Sequence, residues 1–254
     1  MISIPPDLNY GNLHGLLRDT AGAVRGVAAT GCAAIDLYAL AGLRLQIERS
    51  ATSVITVDLP RDRRLAARLV ASGLFRDLRF VTRGPDPAAA GAFRGVPLTR
   101  IAEAADVERF AAEVLAAGRQ TCPDFAAALC TAAAEAGDNV LRHSASTGIG
   151  AMEITGAHVH MVIADLGVGV RPTLAAPIGT DGDALLAAIG HGRRIDGGLA
   201  DLVRRITRIG GAQIVLRSGH AGLLLAEGGI SHEEHGSPIP GTWILVRITQ
   251  EIRP

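Results

Sequence analysis

The spacing of hydrophobic positions changes character along the chain. In its first third, short β-rich runs alternate with helical ones: "AVRGVAA", "LYALAGLRLQIERSA", "VITVDLP" and "DRRLAARLVASGLF". Such alternation predicts parallel strands joined by crossover helices, with Pro60 and Gly73 punctuating the segments. Residues 1–85 therefore read as a small α/β domain. The stretch "TRGPDPAAAGAFRGVP", Thr82 to Pro97, is dense in Gly and Pro and reads as an exposed connection. The linker is placed at residues 86–96 and a second domain at 97–254.

The second domain opens with a strand near Leu98 to Ile101 and a helix near Val107 to Ala117. "TCPDF" then signals a helix start, with Thr121 as the cap, Pro123 early and Asp124 in the first turn. The helix is expected to run to about His143. Phe125, Leu129, Ala132, Ala136 and Val140 share one face, while Glu135 and Asn139 sit together on its flank, at the border of the core. "GAMEIT" and "HVHMVIADLGVGV" follow as antiparallel neighbours around Gly156 and Ala157. From Val170 to Asp196 no period is visible beyond a short helix near Ala184 to Ile189, and a loop of that length in a compact domain is usually functional or mobile. "GGLADLVRRITRIGG" predicts a helix with glycines at both ends; "AQIVLRS", "AGLLLAE" and "TWILVRI" predict a meander of strands. The expected fold of this half is an antiparallel sheet backed by helices.

Composition narrows the chemistry. The chain has 254 residues with 25 basic and 25 acidic side chains, so no basic field draws in nucleic acid or an anionic membrane. All the basic residues are Arg, which removes Schiff-base chemistry and any lysine-dependent phosphate grip. Bound phosphate would have to meet Arg or backbone N–H groups. Cys32, Cys122 and Cys130 are too scattered for a disulfide framework or zinc site and are expected as buried thiols. With no signal-like start and no apolar run long enough to span a bilayer, a cytoplasmic protein is expected. "SHEEH", Ser231 to His235, has His residues three apart among glycines and reads as a surface hairpin tip; "HVH", His158 to His160, reads as outward positions on a strand.

The candidate chemistry lies in segments far apart in sequence. Glu135 and Asn139 lie one turn apart in "AAAEAGDNVLRHS". "DLGVG", Asp165 to Gly169, follows a strand; "GGLADL" opens a helix at Gly197; "PGTWILVRI" opens the last strand with Gly241 and Thr242. Taken one at a time, these are ordinary helix-flank and turn residues. Together, over about Gly95 to Ile248, they resemble the N box, first glycine box, lid, second glycine box and late Gly-Thr of the GHKL (Bergerat-fold) ATP-binding family. "NVLRHS", with His143 four residues after Asn139, is most similar to the anti-sigma-factor serine-kinase branch.

The resemblance implies an ATP site with Mg²⁺ and a Bergerat α/β sandwich. In it Asn139 supplies a hard oxygen to the metal, Glu135 acts as general base, and Asp165 accepts from the adenine amino group. Gly167 and Gly169 let backbone turn against the base; Gly197, Gly198 and Leu199 bring a helix N-terminus to the phosphates. His143 and Thr242 complete the lining, and Arg193 and Arg194 of the lid would clamp phosphate. The second glycine box departs from the family pattern at Ala200. The first half resembles a STAS domain, through "GCAAIDLYALAGLRLQIERSATSVITVDLPRDRRLAARLVASGLF". At its switch position the turn Ile35-Asp36-Leu37-Tyr38-Ala39 offers only the Tyr38 hydroxyl. The implied function is an ATP-dependent Ser/Thr protein kinase acting in partner switching on proteins of the sigma-factor or anti-sigma-antagonist type, with a homodimer compatible. Two alternatives stand beside it: a nucleotide-gated binding module without phosphoryl transfer, and a scaffold that binds no nucleotide.

Overall fold

The structure, a computed structural model, describes residues 1–19, 24–50, 54–86, 93–175, 177–191 and 198–250. It is mixed α/β and divides into two compact units, Met1–Leu98 and Thr99–Pro254.

In the first unit the elements follow one another as β1 (Ile2–Ser3), β2 (Asp7–Leu8), α1 (Leu13–Asp19), β3 (Gly26–Ala28), β4 (Ala34–Ile35), α2 (Leu37–Arg49), β5 (Ile55–Asp58), α3 (Arg63–Ala71) and β6 (Phe80–Arg83). The strands form a four-stranded sheet in the order β1-β3-β5-β6, parallel throughout, and a small parallel pair β2-β4. Helix α2 starts where Asp36 accepts the N–H groups of Ala39 and Tyr10, at 2.7 and 2.9 Å. Capping thus fixes its first turn to the segment before α1. Every residue from Leu37 to Ile47 is buried. Arg44, inside that apolar helix, donates to the carbonyls of Gly73, Leu74 and Arg76 and pairs with Glu48 at 2.7 Å, so its charge is compensated where water is excluded. Tyr38 is also buried, with its hydroxyl 2.8 Å from His14 Nε2.

The second unit is built around a five-stranded sheet, whose first strand in the chain begins four residues before Thr99. β7 (Gly95–Ile101), α4 (Ala104–Thr121), α5 (Pro123–His143), β8 (Gly148–Thr155) and β9 (His158–Asp165) are followed by a 3₁₀ turn (Arg171–Thr173), α6 (Asp181–Ala188), α7 (Gly198–Ile206), β10 (Ala212–Ala226) and β11 (Gly229–Thr249). Strand order is β10-β11-β9-β8-β7, with β8, β9, β11 and β10 antiparallel in turn. α4 and α5 lie on one face. Small residues set the spacing: a Cβ on Gly137 would stand 2.9 Å from Val107, and one on Gly150 would stand 2.7 Å from the Phe110 ring. Leu129, Ala132, Ala136 and Val140 of α5 are buried as the 3.6-residue period requires, and Phe125 is half-buried. No helix among the described residues is long and apolar enough to cross a membrane.

Several expectations need correction. The meander of three strands is one long hairpin: "AQIVLRS" and "AGLLLAE" are both in β10, whose pairing with β11 shifts at Ser218, Gly219 and Ala221 without ending. A bulge absorbs the Ser-Gly interruption because cross-strand bonding resumes beyond it. "SHEEH" is accordingly strand, part of β11, and not the tip. Thr121 closes α4, and Cys122 takes the position before α5. Cys32 and Cys122 are buried, Cys130 only half-buried, and none forms a disulfide. Of the "HVH" pair, His158 is exposed but His160 is half-buried.

Candidate functional site

Four segments converge on one cavity of about 240 Å³ on the helix side of the sheet. α5 contributes Asn139 and His143, the end of β9 contributes Asp165 and the turn after it Gly169, α7 contributes Gly198 and Leu199, and β11 contributes Thr242. The walls between these polar groups are apolar: Ile163 and Ile244 from the sheet, Leu174, Ala187 and Ala188 from the segment before α7. An apolar hollow with a few convergent polar groups is the common form of a small-molecule site.

Asp165 is the group whose placement is hardest to explain by folding alone. It is 3% exposed, at the last position of β9, and faces the cavity. Oδ1 accepts the Gly167 N–H at 2.7 Å and Oδ2 the Thr242 N–H at 3.3 Å. Burial pushes its carboxyl up to about 6, against the two N–H bonds, which pull it down. No cation compensates it in these bonds, and each oxygen retains capacity for a further donor.

The glycines around it are required by close approach. A methyl on Gly167 would overlap the carbonyl oxygen of Ser144, which itself accepts the Val168 N–H at 3.1 Å. A methyl on Gly241, at φ +74°, would overlap the Asp165 carbonyl. The turn after β9 is thereby pressed onto the end of α5 on one side and the start of the final β11 segment on the other.

Glu135 reaches across from α5 to the start of α7, where its Oε2 accepts the Gly198 N–H at 3.1 Å. Gly198 has φ +57°, and a Cβ on it would lie 3.5 Å from Asn139 Oδ1. Glu135 and Asn139 thus meet the same helix start, although only Asn139 lines the cavity. A carboxylate there is favoured by the unpaired N–H groups and dipole of the helix end. Arg193, Arg194 and Gly197 lie outside the described residues. Among the described residues no group of three or more His, Cys, Asp or Glu could hold a metal ion. Beside Asp165, the side-chain oxygens that line the cavity are the Asn139 amide and the hydroxyls of Ser144, Thr173 and Thr242.

Sequence reasoning passed over Ser144, Ser218 and the lining residues Ile163, Leu174, Ala187, Ala188 and Ile244. Two of these were accessible: Ile163 and Ile244 lie two positions from Asp165 and Thr242 on their strands, and period-two alternation puts them on the same face. No protein-family model and no curated protein matches the chain.

Proposed function

We propose that the second unit is an ATP-binding domain of the GHKL (Bergerat) type, that the first is a STAS-like module, and that the protein is a cytoplasmic ATP-dependent Ser/Thr protein kinase of the anti-sigma regulatory kind. The observation that carries the reading is Asp165: a buried carboxylate held by two backbone N–H groups at the end of an otherwise apolar cavity. Such a group accepts the exocyclic amino group of adenine and rejects a purine with an oxygen there, because oxygen facing carboxylate leaves both acceptors unpaired. Ile163 and Ile244 supply flat apolar walls suited to a purine ring. The residues present also fit a phosphate-bound magnesium ion. Asn139 Oδ1, beside Gly198, would be the chain's ligand, and an ion that keeps several waters needs few from the protein.

When bound, Mg²⁺–ATP supplies the transferable phosphoryl group and the charge neutralisation its transfer needs. The chain's own residues would orient it: Asp165 would fix the base, Gly198 at the start of α7 would offer its N–H, and Asn139 would hold the metal. Glu135, which meets the start of α7, would be the carboxylate that takes a proton from a substrate hydroxyl.

A second reading is favoured by one contact. Glu135 is engaged by the Gly198 N–H, so in this conformation it stabilises a helix start. A nucleotide-gated module that sequesters a partner without phosphoryl transfer needs no more than that. Calorimetric titration with ADP and GDP, with and without Mg²⁺, on the wild type and Asp165→Asn tests the site. ADP binding that is absent from GDP and lost in the variant is expected; equal affinity in wild type and variant overturns the assignment. Phosphoryl transfer to a co-purified protein partner separates kinase from binding module.

A further inference from the structure

Ser218 is buried, 3% exposed, at the point in β10 where pairing with β11 slips. It does not line the nucleotide cavity. Its Oγ accepts the Val170 N–H at 2.9 Å and donates to the Gly241 carbonyl at 3.0 Å, so one hydroxyl joins backbones 48 and 23 residues away. Both backbones lead to Asp165. Three residues before Val170, Gly167 donates to Oδ1; one residue after Gly241, Thr242 donates to Oδ2. The approach is tight, since a Cβ on Gly169, at φ +77°, would stand 2.6 Å from Ser218 Oγ.

We propose that Ser218 is the positioning residue of Asp165: its hydroxyl clamps together the two glycine turns whose N–H groups hold the two carboxylate oxygens. On the ATP reading, on which this part rests, it thereby sets purine selectivity without touching the nucleotide. Selection of an amino group over an oxygen depends on where the lone pairs of the carboxylate point, and a carboxylate held at one oxygen turns about its Cα–Cβ and Cβ–Cγ bonds. Removing the hydroxyl leaves the Val170 N–H and the Gly241 carbonyl without that partner inside the protein, so the turns part to reach water.

The full chain with Ser218→Ala is compared with wild type and with Ile154→Val, a cavity-making change at the far end of β8 that serves as a stability control. Two readouts are taken: the affinity ratio of ADP to inosine diphosphate, and amide hydrogen exchange at Gly167 and Thr242. The expected result is an ADP preference lowered about tenfold in Ser218→Ala, one lost hydrogen bond's worth of discrimination, with exchange at both amides accelerated about tenfold and neither moved by Ile154→Val. An unchanged ratio with unchanged exchange overturns the proposal, even if Ser218→Ala melts earlier. If Ser218→Ala does not fold, Ser218→Cys, similar in size and a weaker donor, carries the same two measurements with the same directions. If wild type binds neither nucleotide, the ATP reading fails; the exchange measurement then decides the clamp on Asp165 by itself.

Discussion

Glu135 and Gly198, 63 residues apart in the chain, are joined by a 3.1 Å hydrogen bond from the glycine N–H to the carboxylate. The bond ties the flank of α5 to the first residue of α7 and places a full negative charge where that helix presents unpaired N–H groups. On the ATP reading the same N–H groups face phosphate. The carboxylate and a phosphate oxygen would then compete for one donor, and the group freed by that competition is the proposed base.

Glu135→Ala should therefore separate three properties. It removes a side-chain cap from α7, at a cost of about 1 kcal/mol in denaturant unfolding. Phosphoryl transfer should disappear, because the proposed base is removed. ADP binding should survive, since Glu135 does not line the cavity. Retained transfer in a well-folded variant would remove Glu135 from the mechanism.

The pH dependence of stability should carry the signature of Asp165. Its carboxyl is raised to about 6 from an ordinary value of 3.8, so the folded state holds the proton more tightly than the unfolded chain. The stability contributed by the neutral form is fully present below 3.8 and is lost as pH rises through about 6, an effect of roughly 3 kcal/mol at 1.36 per pH unit. Asp165→Asn cannot ionise. Unfolding free energies measured from pH 3.5 to 7.5 should show wild type losing about that much relative to the variant as pH rises, other carboxylates cancelling in the difference. A flat difference would mean that Asp165 is solvated.

The helices and the site residues were legible to different depths. α5 was readable from Pro123 to His143 because Leu129, Ala132, Ala136 and Val140 repeat at helical spacing, and Glu135 and Asn139 then had to share a flank. β10 was misread as two strands because Ser218 and Gly219 look like a turn; what carries the strand through them is pairing with β11, which local sequence does not show. Ser218 itself was invisible for the same reason. Its partners are distant in the chain, and a lone serine in a strand gives no sign of the carbonyl it will meet.

Gly167→Ala should be the most damaging single change in the turn. The added methyl overlaps the Ser144 carbonyl, a backbone atom that already accepts the Val168 N–H and cannot swing aside as a side chain does. A destabilisation of about 3 kcal/mol in thermal or denaturant unfolding is expected, with Asp165 displaced and ADP binding lost. Trp243, the chain's single tryptophan, is fully buried next to Thr242, so its emission should shift in the variant. Gly179→Ala, with only the Asp183 carboxylate 3.9 Å from its added carbon, should leave stability and emission unchanged.

Ala200→Gly makes the chain conform to the glycine pattern from which it departs, and the structure argues that this gains nothing. Ala200 is fully buried within α7, while the cavity is lined by its neighbours Gly198 and Leu199. Its methyl is thus directed into the packing between α7 and the rest of the unit, away from where phosphate would stand. Replacing it removes that contact and adds backbone freedom in the first turn of the helix, so stability should fall by about 1 kcal/mol in denaturant unfolding. ADP affinity, measured by calorimetry at a temperature where the variant is fully folded, should remain within about twofold of wild type, because one Cβ pointing away from a ligand contributes nothing to its contacts. An affinity gain of about tenfold, worth 1.4 kcal/mol, would instead mean that the methyl keeps the phosphates off the helix start. In that case Ala200 would be the element that weakens nucleotide binding in this chain.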